Sequence, residues 1–221
     1  MQYTTEGRRW ARVAVICGIA TLAAYLIAIF VPLPSMRASY LVFMAFGPLF
    51  CVSIFALRMF LKEERASIAL DIAALLLVIA GAINCVMAAM QGALRIYFND
   101  LPHGEAVPEA AHTAWRMGFH SGNAVQLGAD MAWDVFVLSG LVVWGVALIR
   151  HPRFGPWFAW PAIAIGVVGL ALNAATFPTP PAEGELFDIG PFVGLWFAAA
   201  TVRVIVLLRG KDGSKGGVPI E

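Results

Sequence analysis

Charged residues are scarce in this chain. They make up 13% of its 221 residues, whereas 60% are hydrophobic and the mean hydropathy is +0.79. Because a soluble domain has about 25% charged residues, the composition excludes an ordinary soluble enzyme and is typical of an integral membrane protein. The 15 basic and 14 acidic residues nearly cancel, which excludes the strongly basic surface that a nucleic-acid partner requires.

Cysteine and lysine are also sparse, and neither is placed to form a disulfide framework or to hold a covalently bound cofactor. The three cysteines, Cys17, Cys51 and Cys85, lie inside hydrophobic runs, where no disulfide framework can be built. No lysine falls within such a run, which excludes a retinal Schiff base, and no run holds the paired histidines of a membrane haem site. The sequence therefore indicates no firm cofactor.

Hydrophobic runs, by contrast, are long and frequent. A helix of roughly 20 apolar residues crosses a bilayer core about 30 Å thick. Six runs reach this length, and only Asp130, Asp134 and Arg203 bring a charge into any of them. They are residues 13–36, 38–57, 72–94, 124–149, 154–182 and 189–208. We therefore predict an all-α polytopic membrane protein, with six transmembrane helices forming three hairpins in a single domain, residues 1–208.

The distribution of basic residues predicts how this domain is oriented. Basic residues gather on the cytoplasmic side of membrane proteins. With the N-terminus inside, 12 of the 15 basic residues lie at or near the cytoplasmic face, and only Arg37, Arg95 and Arg116 lie outside. Both termini are therefore predicted to be cytoplasmic. Arg203 lies close enough to that face to act as an interfacial anchor.

Residues 97–123 form one long polar segment on the predicted outer side. Pro108 and Glu109 are a good helix start, and an apolar face follows them. We predict a short interfacial helix that lies on the outer membrane surface and is broken at residues 121–123, before the fourth span. The glycine-rich residues 209–221 are predicted to be a disordered cytoplasmic tail.

Polar residues within the hydrophobic runs gather near the predicted outer ends of the helices. Such residues are costly in a bilayer, so their positions carry functional information. We predict that the following residues line an outward-open vestibule that binds a ligand: Asn84, Gln91, Arg95, Asn123, Gln126, Asp130, Asp134, Asn173 and Asp188. Arg95 is the natural countercharge for Asp130 or Asp134. The alternatives are a hydrogen-bond cluster that only holds helices together and, for Asp188, an N-cap of the sixth helix.

Histidines near these carboxylates suggest metal binding as a further hypothesis. His112 and His120 are the candidate ligands for a divalent metal such as zinc, iron or copper. They are eight residues apart and lack the H-x-x-x-H or H-E-x-x-H spacing of helical metal sites. The alternative is that both are interface histidines with no ligand role.

Small residues predict where helices meet. Gly81 and Cys85 on the third helix, and Gly166 and Gly169 on the fifth, form smooth faces that are typical of close helix contacts. The inner half of the helices holds few polar residues beyond Asp71. This distribution indicates a closed inner floor beneath the vestibule.

One stretch of the chain is similar to a known group of proteins. Ala132, Trp133 and Asp134, the residues from there to Arg150, and the segment RFGPWFAW at residues 153–160 resemble small bacterial six-helix membrane proteins of unknown function. The resemblance covers about the C-terminal half. It implies a bacterial inner-membrane protein with no assigned activity, so no catalytic residue carries over.

Three classes of function remain open. The vestibule favours a protein that binds or transports a small molecule or a lipid. The small-residue faces suit an accessory or structural subunit, either as a homo-oligomer or with a partner membrane subunit. The third class is a membrane-embedded enzyme, metal-dependent or not, that acts on a lipid or isoprenoid from the outer side through Asp130 and Asp134.

Overall fold

The computed structural model describes residues 3–101, 108–181, 183–184 and 186–209. Within these ranges it consists of six α-helices joined by loops, with no strand. The helices are α1 (Thr5–Phe30), α2 (Met36–Lys62), α3 (Ile68–Asn99), α4 (Glu109–Leu148), α5 (Gly155–Thr176) and α6 (Gly190–Arg209). Each is long and apolar enough to cross a membrane, so the prediction of an all-helical, multi-pass membrane protein is confirmed. Beyond Arg209, the predicted tail lies outside the described residues.

Hydroxyl side chains determine where the first three helices begin. The Thr4 hydroxyl accepts the Gly7 N–H at 2.9 Å. Ser35 and Ser67 do the same for the third residues of α2 and α3, both at 3.1 Å. Each bond satisfies a backbone donor that has no partner within the helix, and is worth about 1 kcal/mol.

The six helices form a closed ring. Each packs against the next in the chain, and α6 also packs against α1. At one end, Arg65 donates to the Arg150 carbonyl oxygen at 2.7 Å and Arg203 donates to that of Arg153. We call this the basic end. The opposite end carries the α1–α2, α3–α4 and α5–α6 connections.

The apolar core is densest at the basic end. Five large side chains there are at most 2% exposed: Phe60, Leu61, Leu70, Trp144 and Leu148. Toward the opposite end, the buried positions include three polar residues: Asn84, Gln126 and Asn173. Large apolar side chains therefore pack at the basic end, and amide side chains are buried toward the other end.

Glycines let two helix pairs approach closely. A Cβ on Gly47 of α2 would lie 2.5 Å from the Gly81 carbonyl oxygen of α3. A Cβ on Gly166 of α5 would lie 2.6 Å from the Leu138 carbonyl oxygen of α4, and Gly169 packs against the Leu138 side chain. The predicted helix contacts at Gly81, Gly166 and Gly169 are thus confirmed, and their partners belong to the same chain.

The predicted surface helix and its break at residues 121–123 are wrong. α4 continues through this segment and is 40 residues long, or about 60 Å. A Cβ on Gly122 would lie 2.5 Å from Leu94 of α3, and the rings of Phe98 and Phe119 meet edge to face at 5.5 Å. Packing against α3 offsets the cost of about 1 kcal/mol for a glycine inside a helix. α3 and α4 therefore form one long hairpin.

Two predicted spans extend too far along the sequence. α1 ends at Phe30 rather than at residue 36, and α5 ends at Thr176 rather than at residue 182. In both cases prolines follow closely, at Pro32 and Pro178. Proline lacks the N–H that a helix needs to continue. The hydrophobic run in the sequence is therefore longer than the helix.

A polar network closes the basic end. Glu64 and Arg153 form an ion pair with Oε1 and Nε 2.5 Å apart, and their side chains are 9% and 21% exposed. Tyr3 lies near enough to Glu64 to interact with its carboxylate, and the centre of its ring lies 4.7 Å from the Arg153 guanidinium. Burial, assisted by the Glu64 charge, raises the pKa of Tyr3 to about 12. Arg203 donates to the Arg153 carbonyl oxygen at 2.7 and 3.0 Å, so it ties α6 to the α4–α5 loop.

His151 is buried in the same region and is 4% exposed. Its Nδ1 accepts the Arg153 N–H at 3.3 Å, and its Nε2 lies 3.4 Å from the Leu61 carbonyl oxygen. Burial lowers the pKa of His151, because desolvation disfavours the charged imidazolium. The neutral ring protonated on Nε2 fits this site, since it accepts at one nitrogen and donates at the other.

Candidate functional site

Two carboxylates of α4 form the centre of the candidate site. Asp130 and Asp134 are one helical turn apart and both are half-buried. Asn173 of α5 is 2% exposed and lies near enough to Asp134 to interact with its carboxylate. The amide nitrogen of Asn173 also donates to the Gly169 carbonyl oxygen at 3.0 Å. The packing of α5 on α4 thus brings these three predicted site residues together.

The charges that act on this pair, within the described part of the chain, are all negative. Asp188 lies near enough to interact electrostatically with both carboxylates, and Glu183 with Asp130. Asp188 also accepts the N–H of Gly190, the first residue of α6, at 2.8 Å. This bond fits a role at the start of that helix, but the N-cap interpretation stays a prediction. We call Asp130, Asp134, Asp188 and Asn173 the acidic cluster.

The predicted pairing of Arg95 with Asp130 or Asp134 is wrong. Within the described ranges neither carboxylate has an ion pair, and Arg95 is exposed. Arg95 lies in the last turns of α3, and α3 and α4 are the two longest helices. The end of their hairpin is therefore less covered by other helices, and solvent is available to the guanidinium.

Buried polar atoms without a partner occur at the level of the cluster. Among the described residues they include the side-chain oxygens of Asn84 and Asn173 and the indole N–H of Trp133. The contact between Leu77 and Gly140 places Asn84, seven residues further along α3, level with residue 133 of α4. Buried polar atoms normally have a partner, because leaving one unpaired is costly. This level of the bundle therefore suits water or a polar ligand.

The other predicted vestibule residues are spread more widely. Gln126 is buried, and Asn123 is half-buried one turn nearer the start of α4. Gln91 lines a cleft of about 460 Å³ between α1, α2 and α3. Tyr25 lines the same cleft and lies near enough to Asp188 to interact electrostatically. None of the acidic-cluster residues lines this cleft, and the structure does not combine all nine predicted residues into one cavity.

Sequence reasoning missed two residues of this region. Trp133 precedes Asp134, and an indole N–H within a hydrophobic run needs a partner, so a signal was present in the sequence. Nothing in the sequence places Tyr25 near Asp188, because only the packing of α1 against α6 brings them together.

The two candidate metal ligands lie in the first part of α4. The ring of His112 packs edge to face against Trp115 with centroids 5.4 Å apart, and that of His120 packs against Phe119 at 6.1 Å. Both histidines line a shallow cleft of about 220 Å³ together with Arg116. No group of three His, Cys, Asp or Glu side chains placed to hold a metal occurs in the described ranges. Metal binding at His112 and His120 stays a prediction.

Comparisons with protein-family models, with characterised proteins and with solved structures find no match for this chain. What the candidate site can bind is therefore inferred from the chemistry of its own residues. Asp130, Asp134 and Asn173, whose Oδ1 has no partner, lie on helices apolar enough to span a membrane, and the exposed Asp188 lies just before α6.

Proposed function

We propose that this chain is a multi-pass protein of the bacterial inner membrane that binds or transports a small molecule at an outward-facing polar vestibule. The acidic cluster is the observation that supports this proposal. It puts half-buried carboxylates and the unpaired Asn173 oxygen within membrane-spanning helices. Polar groups in such positions typically mark ligand sites or substrate paths.

The charge distribution supports the proposed orientation. The basic end holds the arginines at positions 58, 65, 150, 153 and 203, and an excess of arginine favours the cytoplasmic side. With that end inside, the acidic cluster lies toward the outer leaflet. The apolar core at the basic end then forms the floor of the vestibule.

The alternative of an accessory subunit has less support in the structure. Gly81 packs against α2 and Gly166 packs against α4, so these small-residue faces are used within the chain. An enzyme acting through Asp130 and Asp134 would need the same water-accessible cluster. Access of water to that cluster is therefore the property to measure.

Cysteine labelling measures this access. In a background in which the three native cysteines are replaced by alanine, the Asn173→Cys variant is expected to react with a membrane-impermeant thiol reagent added outside intact cells. The matched control is Ser53→Cys, because Ser53 and Asn173 are both 2% exposed. Ser53 donates to the Ala14 carbonyl oxygen within the helix packing of α1 and α2, so its variant is expected to stay unreactive.

A second variant tests the cleft between α1, α2 and α3. Gln91→Cys is expected to react from the outside as well, since Gln91 lines an open cleft. If neither Asn173→Cys nor Gln91→Cys reacts while both proteins are present in the membrane, the vestibule is closed to outside water and the proposed function is wrong.

A further inference from the structure

We infer that the acidic cluster binds a small organic cation with N–H donors, of the primary ammonium type. This inference rests on the proposed function and specifies the chemistry of the ligand. Two independent observations support it: the uncompensated charge of the carboxylates, and an unused buried acceptor beside them.

Charge is the first observation. Asp130 and Asp134 lie one helical turn apart, Asp188 acts on both with the same sign, and none of the three has an ion pair in the described ranges. Two partly buried arginines of the bundle are used elsewhere: Arg58 pairs with Asp71, and Arg153 pairs with Glu64. Asp130 and Asp134 are half-buried, whereas Asp188 is exposed. Because carboxylates that have partly left water are costly without a partner, a cationic ligand would stabilise Asp130 and Asp134.

Hydrogen-bonding capacity is the second observation. Asn173 is 2% exposed and its Oδ1 has no partner, although its amide nitrogen donates to the Gly169 carbonyl oxygen. Ionised carboxylates accept hydrogen bonds and donate none. A ligand that satisfies Asp134 and the Asn173 oxygen together must therefore donate. An ammonium group supplies three N–H donors and the required charge.

Geometry favours an ammonium group over a metal ion. Calcium requires about six to eight oxygen ligands within about 2.6 Å, and no three acidic or histidine side chains in the described ranges converge in that way. N–H donors reach acceptors at about 2.7 to 3.2 Å and can bridge groups that are further apart. Asp134 and Asn173 come from different helices, which suits a bridging ligand.

Thermal unfolding of the purified full chain in detergent tests this inference, with n-butylammonium chloride as the probe. A ligand that binds only the folded state raises the unfolding temperature with its concentration. We expect n-butylammonium to raise it more than three comparators at equal ionic strength. Tetramethylammonium carries the charge without N–H donors, butyramide carries N–H donors without the charge, and sodium chloride supplies a metal cation.

Charge-removing variants locate the site. Asp134→Asn is expected to weaken n-butylammonium binding about tenfold or more, as expected for loss of a charged hydrogen-bond acceptor. Asp100→Asn is the matched control, because Asp100 is exposed and pairs with Arg37. It is expected to bind the probe as the unmodified chain does. If Asp134→Asn does not fold, the comparison of the four solutes on the unmodified chain decides the question.

Several outcomes would overturn the inference. They are no stabilisation by n-butylammonium, equal stabilisation by any comparator, or equal binding to Asp134→Asn and the unmodified chain. Any of these results, combined with reaction of Asn173→Cys from outside, would refute the cationic ligand and leave the proposed function standing. Lack of reaction of both Asn173→Cys and Gln91→Cys would instead refute the proposed function itself.

Discussion

Replacing Gly166 with leucine is expected to destabilise the folded protein by about 3 kcal/mol or more. A Cβ at this position would lie 2.6 Å from the Leu138 carbonyl oxygen and 2.5 Å from a Val142 methyl. A side chain can rotate away, but the backbone oxygen moves only if α5 separates from α4. Overpacking that forces such a shift costs about 1–3 kcal/mol, and more when backbone must move.

Gly128→Leu is the matched control for this prediction. Gly128 also lies within a helix, but a Cβ there would meet nothing within 4 Å. Because leucine favours the helix by somewhat less than 1 kcal/mol relative to glycine, this variant is expected to be as stable as the unmodified chain or slightly more stable. Denaturation in mixed detergent micelles measures both. Equal stability of the two variants would contradict the close α4–α5 contact.

Replacing Glu64 with alanine is expected to cost about 3 kcal/mol. The side chain of Glu64 is 9% exposed and that of Arg153 is 21% exposed, so the substitution leaves a mostly buried cation without its partner. Breaking a buried pair costs about 3–5 kcal/mol, and the partial exposure of Arg153 places the expected loss at the lower limit.

A double-mutant cycle with Arg153→Met separates this ion pair from general damage. The double variant is expected to lose clearly less than the sum of the two single losses, because no buried charge remains unpaired. Glu109→Gln is the control, since Glu109 and Arg116 form an exposed pair, 82% and 68% exposed, and such pairs contribute little. Strict additivity of the Glu64 and Arg153 losses would show that the two side chains do not interact.

Hydropathy predicts the six helices well because length and apolarity are all that a membrane span requires. The helix ends were harder to predict. The prolines after Phe30 and Thr176 end helices inside apolar runs. The glycine at position 122 does not end one, because Leu94 of α3 packs on it. A local breaker signal is thus decisive only where no neighbouring helix compensates for it.

The level of the site residues along their helices could be predicted from the sequence, but the contacts between their side chains could not. The sequence shows that Asp134 and Asn173 lie near the same ends of two consecutive spans, and α5 packs on α4, so they meet. Arg95 shares the helical face of Asn84 in α3, but Asn84 is buried and Arg95 is exposed. Sequence spacing gives the level and face of a residue on one helix. It does not show which neighbouring helices cover that level.

The network at the basic end was not predicted at all. From the sequence, the basic residues there predicted the orientation of the domain and an interfacial anchor at Arg203, and Glu64 was not paired with any of them. The pair between Glu64 and Arg153 joins two loops that are far apart in sequence. Such a contact forms because the ring of helices brings the two loops together. No local pattern in the sequence indicates it.

Reporter fusions measure the orientation on which the outward-facing vestibule depends. A fluorescent protein that matures only in the cytoplasm is expected to be bright after residue 221, and alkaline phosphatase, which folds only outside, is expected to be active when inserted at residue 104. This result would place the basic end inside and the acidic cluster toward the outside. An inactive phosphatase at residue 104 together with an active one after residue 221 would show the opposite orientation and contradict an outward-facing vestibule.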